Sequence, residues 1–124
     1  MKHSHVLRFL LLLLLTFLGP GDVVQVQEEV IMTISVESEH INVYQSTGVL
    51  VQLYTRAGEA VAGQEITFIT DLGTIDSRQA VTNEHGEVWV TFVASSQTGV
   101  SHITSSARGL SETILVTVSV SSFQ

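Results

Sequence analysis

The sequence predicts an all-β protein, an antiparallel sandwich of about seven strands. Three observations carry that reading. Apolar residues alternate with polar ones in short runs, most cleanly after Gly86, where Val88, Val90, Phe92 and Ala94 occupy every second position. A strand sends successive side chains to opposite faces, so these four share a buried face. Turn-forming residues separate the runs at sandwich-like intervals, and no stretch after residue 21 carries apolar residues at helical spacing.

In chain order, residues 22–29 form an extended lead-in and residues 30–36 (VIMTISV) the first strand. Residues 41–44 make a short second piece. Residues 49–55 (VLVQLYT) follow and end at Arg56-Ala57-Gly58-Glu59. Residues 65–70 (EITFIT) close at Asp71-Leu72-Gly73, and residues 79–82 lead into Asn83-Glu84-His85-Gly86. That last group reads as a turn, with an asparagine that caps its own loop and a glycine that takes positive φ. Residues 87–95 are turned by Gln97-Thr98-Gly99; residues 100–107 and 112–120 (ETILVTVSV) are separated by Arg108-Gly109-Leu110. The register puts Val51, Leu53, Ile66, Phe68, Val88, Val90, Phe92, Ile103, Val116 and Val118 inside. There is no internal repeat and no low-complexity linker, so residues 30–124 read as one domain.

Residues 1–21 read as a secretory signal peptide. Lys2 and Arg8 give a basic start, residues 9–18 are apolar apart from Thr16, and cleavage would follow Gly19-Pro20-Gly21. The run is short for a bilayer span, which takes about 20 apolar residues. No Ala-x-Ala site is present, so an uncleaved N-terminal anchor is the alternative. Such a chain is expected outside the cytoplasm, in the periplasm, at the cell surface or released. Cysteine is absent, which removes disulfides and thiolate chemistry and leaves stability to the hydrophobic core. An exported domain of that kind fits a bacterial envelope better than a eukaryotic secreted module. Residues 22–124 keep all 12 acidic residues but only Arg56, Arg78 and Arg108, so 3 minus 12 gives a net charge of −9. Nucleic acid and anionic membrane surfaces are therefore poor partners.

A series of residues adds a family resemblance. Gly58-x-x-Val61-x-Gly63, Ile66-Thr67-Phe68, Gly73-Thr74-Ile75, Val81-Thr82-Asn83-x-x-Gly86, Val88-x-Val90-x-Phe92 and Thr98-Gly99 occur in this order. Together they resemble the group 1 bacterial Ig-like domain, the stalk repeat of invasin and intimin, here in a single copy. The likeness runs from about Val49 to Val120, with residues 30–36 fitting the first strand. It departs in one turn, where the family often has Asp at the position of Thr55 and Pro at that of Ala60. The resemblance implies an Ig-like sandwich in an extracytoplasmic setting. Adhesive activity does not follow, because function is carried by sites and not by a widely shared fold.

The residue patterns do not point to catalysis or to a cofactor. His40, His85 and His102 show no metal-ligand spacing and read as solvent-facing. The loop at Asn83-Glu84-His85-Gly86-Glu87 lacks the alternating carboxylates of a calcium site. Asp71, Asp76, Glu84 and Glu87 are the candidates for a glycosidase carboxylate pair, but six aromatic residues after residue 21 leave little for a sugar cleft. No G-x-S-x-G elbow occurs.

Trp89 carries the functional reading. It falls on the face opposite Val88, Val90 and Phe92, and Leu50 and Tyr54 fall on the corresponding face of residues 49–55. Those two strands are neighbours in an Ig-like sheet. Leu50, Tyr54, Trp89 and Val93 are thus expected to form an outer apolar stripe suited to a partner. Local cross-strand packing or cover by the N-terminal segment is the competing account. The expectation is a non-enzymatic, exported Ig-like module of the cell envelope, binding or structural, with a protein partner. A carbohydrate-binding accessory protein recognising polysaccharide through Trp89 and Tyr54, and a small periplasmic enzyme, are the alternatives.

Overall fold

The structure, a computed structural model, describes the backbone of residues 9–15 and 25–121 and the side chains of residues 29–121. Lys2, Arg8 and Gly19-Pro20-Gly21 of the expected export segment lie outside the described residues. The strands are β1 (Phe9–Leu15), β2 (Gln25–Val36), β3 (His40–Asn42), β4 (Ser46–Thr55) and β5 (Glu65–Thr70). They continue as β6 (Thr74–Ile75), β7 (Gln79–Val81), β8 (Glu87–Val93), β9 (Gly99–Ala107) and β10 (Leu110–Ser119). Sheet A has the order β1-β2-β4-β8-β6 and sheet B the order β3-β10-β9-β5-β7. Every pairing is antiparallel except β3 with β10.

Alternation builds the core. Val49, Val51 and Leu53 of β4 and Val88, Val90 and Phe92 of β8 face Ile66, Phe68, Ile103, Ile114, Val116 and Val118 of sheet B. All ten residues expected inside are buried. Burial removes apolar surface from water, the dominant favourable contribution to folding.

Two strands escape the alternation argument. β6 has two residues, too few to show a period, and β1 is apolar throughout. β2 begins at Gln25, so part of the expected lead-in is ladder, and His40 opens β3 instead of lying in a loop.

The turns follow side-chain chemistry. Asn83 Oδ1 accepts the backbone N–H groups of His85 (2.8 Å) and Glu87 (3.0 Å). Gly86 has φ 72°, and a Cβ there would lie 2.4 Å from the Leu53 carbonyl oxygen. Only glycine meets both demands. Between β9 and β10, Arg108 and Gly109 both take positive φ, as a two-residue turn of type I′ needs.

Candidate binding face

The outer face of sheet A is set by the β4–β8 register. Leu50 lies directly opposite Trp89, Gln52 opposite Glu87, and Ser46 opposite Val93. Trp89 is 55% exposed, while Phe68 and Phe92 are fully buried. Its exposure has a second cause beyond parity. The strand on the far side of β8 pairs only Thr74 with Val93 and Ile75 with Phe92, so among the described residues no strand pairs with β8 at Trp89 on that side.

Leu50, Tyr54, Trp89 and Val93 all share this face, but they do not form one stripe. Gln52 Nε2 donates to Glu87 Oε2 at 3.3 Å, and this polar pair stands between Leu50–Trp89 and Tyr54. Tyr54 is four residues along β4 from Leu50, about 13 Å at the rise of a strand. It lies opposite Ile31 of β2 and bridges to Ala60. The face thus holds two apolar patches, Leu50–Trp89 with Val93 towards one end and Ile31–Tyr54 at the other. Ile31 was not among the expected residues. Its signal in the sequence is the unbroken VIM at the start of the first strand, where alternation alone would make Ile31 polar.

Comparison with solved structures places this architecture. The D0-D1 domain pair of intimin matches with a TM-score of 0.60 at 18% identity, covering 77% of this chain and 56% of that one. The D00-D0 pair of intimin matches with a TM-score of 0.59 at 18% identity, covering 80% of this chain and 52% of that one. The chain has the fold of an intimin Ig-like domain. It spans about half the length of the two-domain structures it matches. No family model matches the sequence, and no curated protein matches it.

Within this Ig-like frame, the turn lacking the family's Asp and Pro is closed by other groups. Thr55 Oγ1 accepts the Glu59 N–H at 3.1 Å, and Thr55 and Glu59 also pair through the backbone. Threonine therefore takes over the capping expected of an aspartate.

The remaining polar residues serve the Ig-like fold singly. Among the described residues, no three histidine or acidic side chains converge as a metal site would require. His40, His85 and His102 are exposed. Asp76 Oδ1 caps the Thr91 N–H at 2.9 Å. Glu84 is an exposed neighbour of His85, and Glu87 is held by Gln52. Asp71 accepts the His102 backbone N–H at 2.8 Å and meets the His102 ring at 2.8 Å. The backbone hydrogen bond is the main cause holding the Asp71 carboxyl below its ordinary value; partial desolvation opposes it, and the imidazole contact adds to it. Ser101 precedes His102, yet its hydroxyl points inward to Leu72 O. Consecutive strand residues face opposite ways, so the imidazole cannot take the proton of that serine.

On sheet B the outer face carries Ile69, Val100 and Leu115, also exposed. Ile69 lies opposite Thr104, Val100 opposite Thr117 and Leu115 opposite His102, so none of the three has an apolar residue directly across from it as Trp89 has.

Proposed function

We propose that this chain is a non-enzymatic, exported Ig-like module of the bacterial envelope that docks a protein partner through Leu50 and Trp89. One observation carries the reading: an exposed tryptophan lies directly opposite a leucine on a strand whose alternate residues are all buried. Tryptophan at a contact buries a large area and keeps a polar N–H at its rim, the profile of an interface anchor. The intimin likeness and the apolar run after a basic start support a setting outside the cytoplasm. A sugar platform calls for Trp89 and Tyr54 side by side, and the Gln52–Glu87 pair stands between them. The protein-contact reading is therefore the better supported of the two.

Site-specific photo-crosslinking in the native envelope tests this. A crosslinking residue at Trp89 is expected to capture a discrete protein adduct, and the same residue at Ile69, exposed on the outer face of sheet B, is expected to capture none. Equal labelling at both positions would remove the assignment of this face.

A further inference from the structure

The two sheets border one another along a lateral seam, with β2 on one side and β10 on the other. β3 covers the outer edge of β10 only at Thr117, Val118 and Ser119, so among the described residues no strand pairs with that edge from Leu110 to Val116. β1 runs along this seam. It pairs antiparallel with β2, from Phe9 opposite Met32 to Leu15 opposite Gln25, and comes within 8 Å of β10 between Cα atoms.

At the level of Met32 the seam holds a polar group that the core does not use. The Ser105 hydroxyl contacts Met32 Sδ at 3.4 Å, and Ser105 faces Glu112 across the β9–β10 ladder. Glu112 is 2% exposed, and its Oε1 has no hydrogen-bond partner among the described residues. By contrast, the buried hydroxyls of Thr47, Thr82 and Ser101 all meet backbone nitrogen or oxygen atoms. A buried carboxylate without a partner is costly, and burial raises the Glu112 carboxyl above its ordinary value.

Among the described residues, no cation meets Glu112. Arg56 binds Glu29 at 2.6 Å, Arg108 binds Gln64 at 2.7 Å, and Arg78 lines a pocket beside Phe68 and Ile75. No lysine follows residue 21.

We infer that the β2–β10 seam is a strand-accepting site, filled by residues 9–15 in the unprocessed chain and, after export, by an antiparallel partner strand. That partner strand is apolar and carries one arginine or lysine directed at Glu112. An open strand edge offers a row of N–H and C=O groups to an added strand, and side-chain pockets supply its specificity. A second copy fits this edge poorly. Its β2 would bring the acidic positions Glu28 and Glu29 to a seam that already holds Glu112, and residues 22–124 contain no lysine.

The partner arm rests on the export reading, so that reading is tested separately. The intact mass of protein recovered from the envelope shows whether residues 1–21 have been removed; a retained segment overturns the export-processing step alone. Binding is then measured on the processed protein or, if the segment is retained, on the full chain carrying Leu11→Pro and Leu13→Pro to prevent β1 pairing. The probe is a dye-labelled peptide of alternating valine and threonine with a central arginine, compared by anisotropy with the same peptide carrying a central glutamate. The arginine peptide is expected to bind about tenfold more tightly, and Glu112→Gln to abolish most of that preference. Amide exchange in β2 should slow when the arginine peptide is bound. No binding, equal binding of both peptides, or a preference untouched by Glu112→Gln would overturn the proposal.

Discussion

Strands β8 and β2 lie in the same sheet with β4 between them, and they partition their side chains differently. In β8, Val88, Val90 and Phe92 are buried while Trp89 and Val93 are exposed. In β2, Val30, Ile31 and Met32 are buried in succession. The pleat is the same in both: Ile31 faces away from the core cluster that holds Val30 and Met32. The surroundings differ. Ile31 has Tyr54 of β4 opposite it on one side and the Leu10 position of β1 on the other. Trp89 has Leu50 on one side and, among the described residues, no strand paired on the other. Parity assigns a residue to a face, and the flanking strands decide whether that face is wet.

The largest effect belongs to the inner side of β8. Phe92→Ala should cost about 3–5 kcal/mol in a denaturant melt, because it leaves a cavity in a closed core. A loss under about 1 kcal/mol would break the inner half of the comparison.

Ile31→Ala comes next. As a buried aliphatic deletion it should cost about 2–5 kcal/mol in the full chain, although Ile31 sits on the outer face. The comparison sharpens if the same substitution costs clearly less once β1 is gone, since cover by β1 is then what separates Ile31 from Trp89. A cost that does not change would assign the burial to Tyr54 alone.

Glu112→Gln should act in the stabilising direction and only over part of the pH range. Burial raises the Glu112 carboxyl, so the folded chain keeps this proton at pH values where the unfolded chain has lost it. Its contribution is therefore complete below the ordinary glutamate value of about 4.3 and declines as pH rises through the raised folded value. Melts from pH 4 to 8 should show the variant gaining on the parent as pH increases. A constant difference across that range would mean that Glu112 titrates as an exposed carboxylate.

The smallest stability effect is expected at Trp89. Trp89→Ala should cost less than Phe92→Ala while weakening partner binding by more than about 1 kcal/mol. Fluorescence gives an independent check: a water-soluble quencher should strongly quench the folded protein, and a blue-shifted, unquenched signal would place the ring under cover.

Much of this was legible in the sequence. The ten inward residues, the outward Trp89 and the Asn83-to-Gly86 turn all follow from properties within a few residues of one another: side-chain period, an amide that reaches its own loop, a glycine where φ is positive. The break in the predicted stripe was not legible. It depends on Gln52 meeting Glu87, residues 35 positions apart that become neighbours only through the β4–β8 register. Nor does any local pattern mark Glu112. In ETILVTVSV its inward position follows from alternation with Ile114 and Val116, but a charged residue there reads as the frayed end of a strand.

The sequence by itself determined the longer strands of residues 30–120, their inner faces and the turns between them, because these come from alternation and backbone preference acting over short range; β1 and the two-residue β6 were outside its reach. Only the tertiary structure decided that Trp89 opposes Leu50 with one flank open, that Ile31 is covered, and that Glu112 is buried at a seam. Each of those depends on which distant strand lies alongside, and strand order and register are set by the packing of both sheets together.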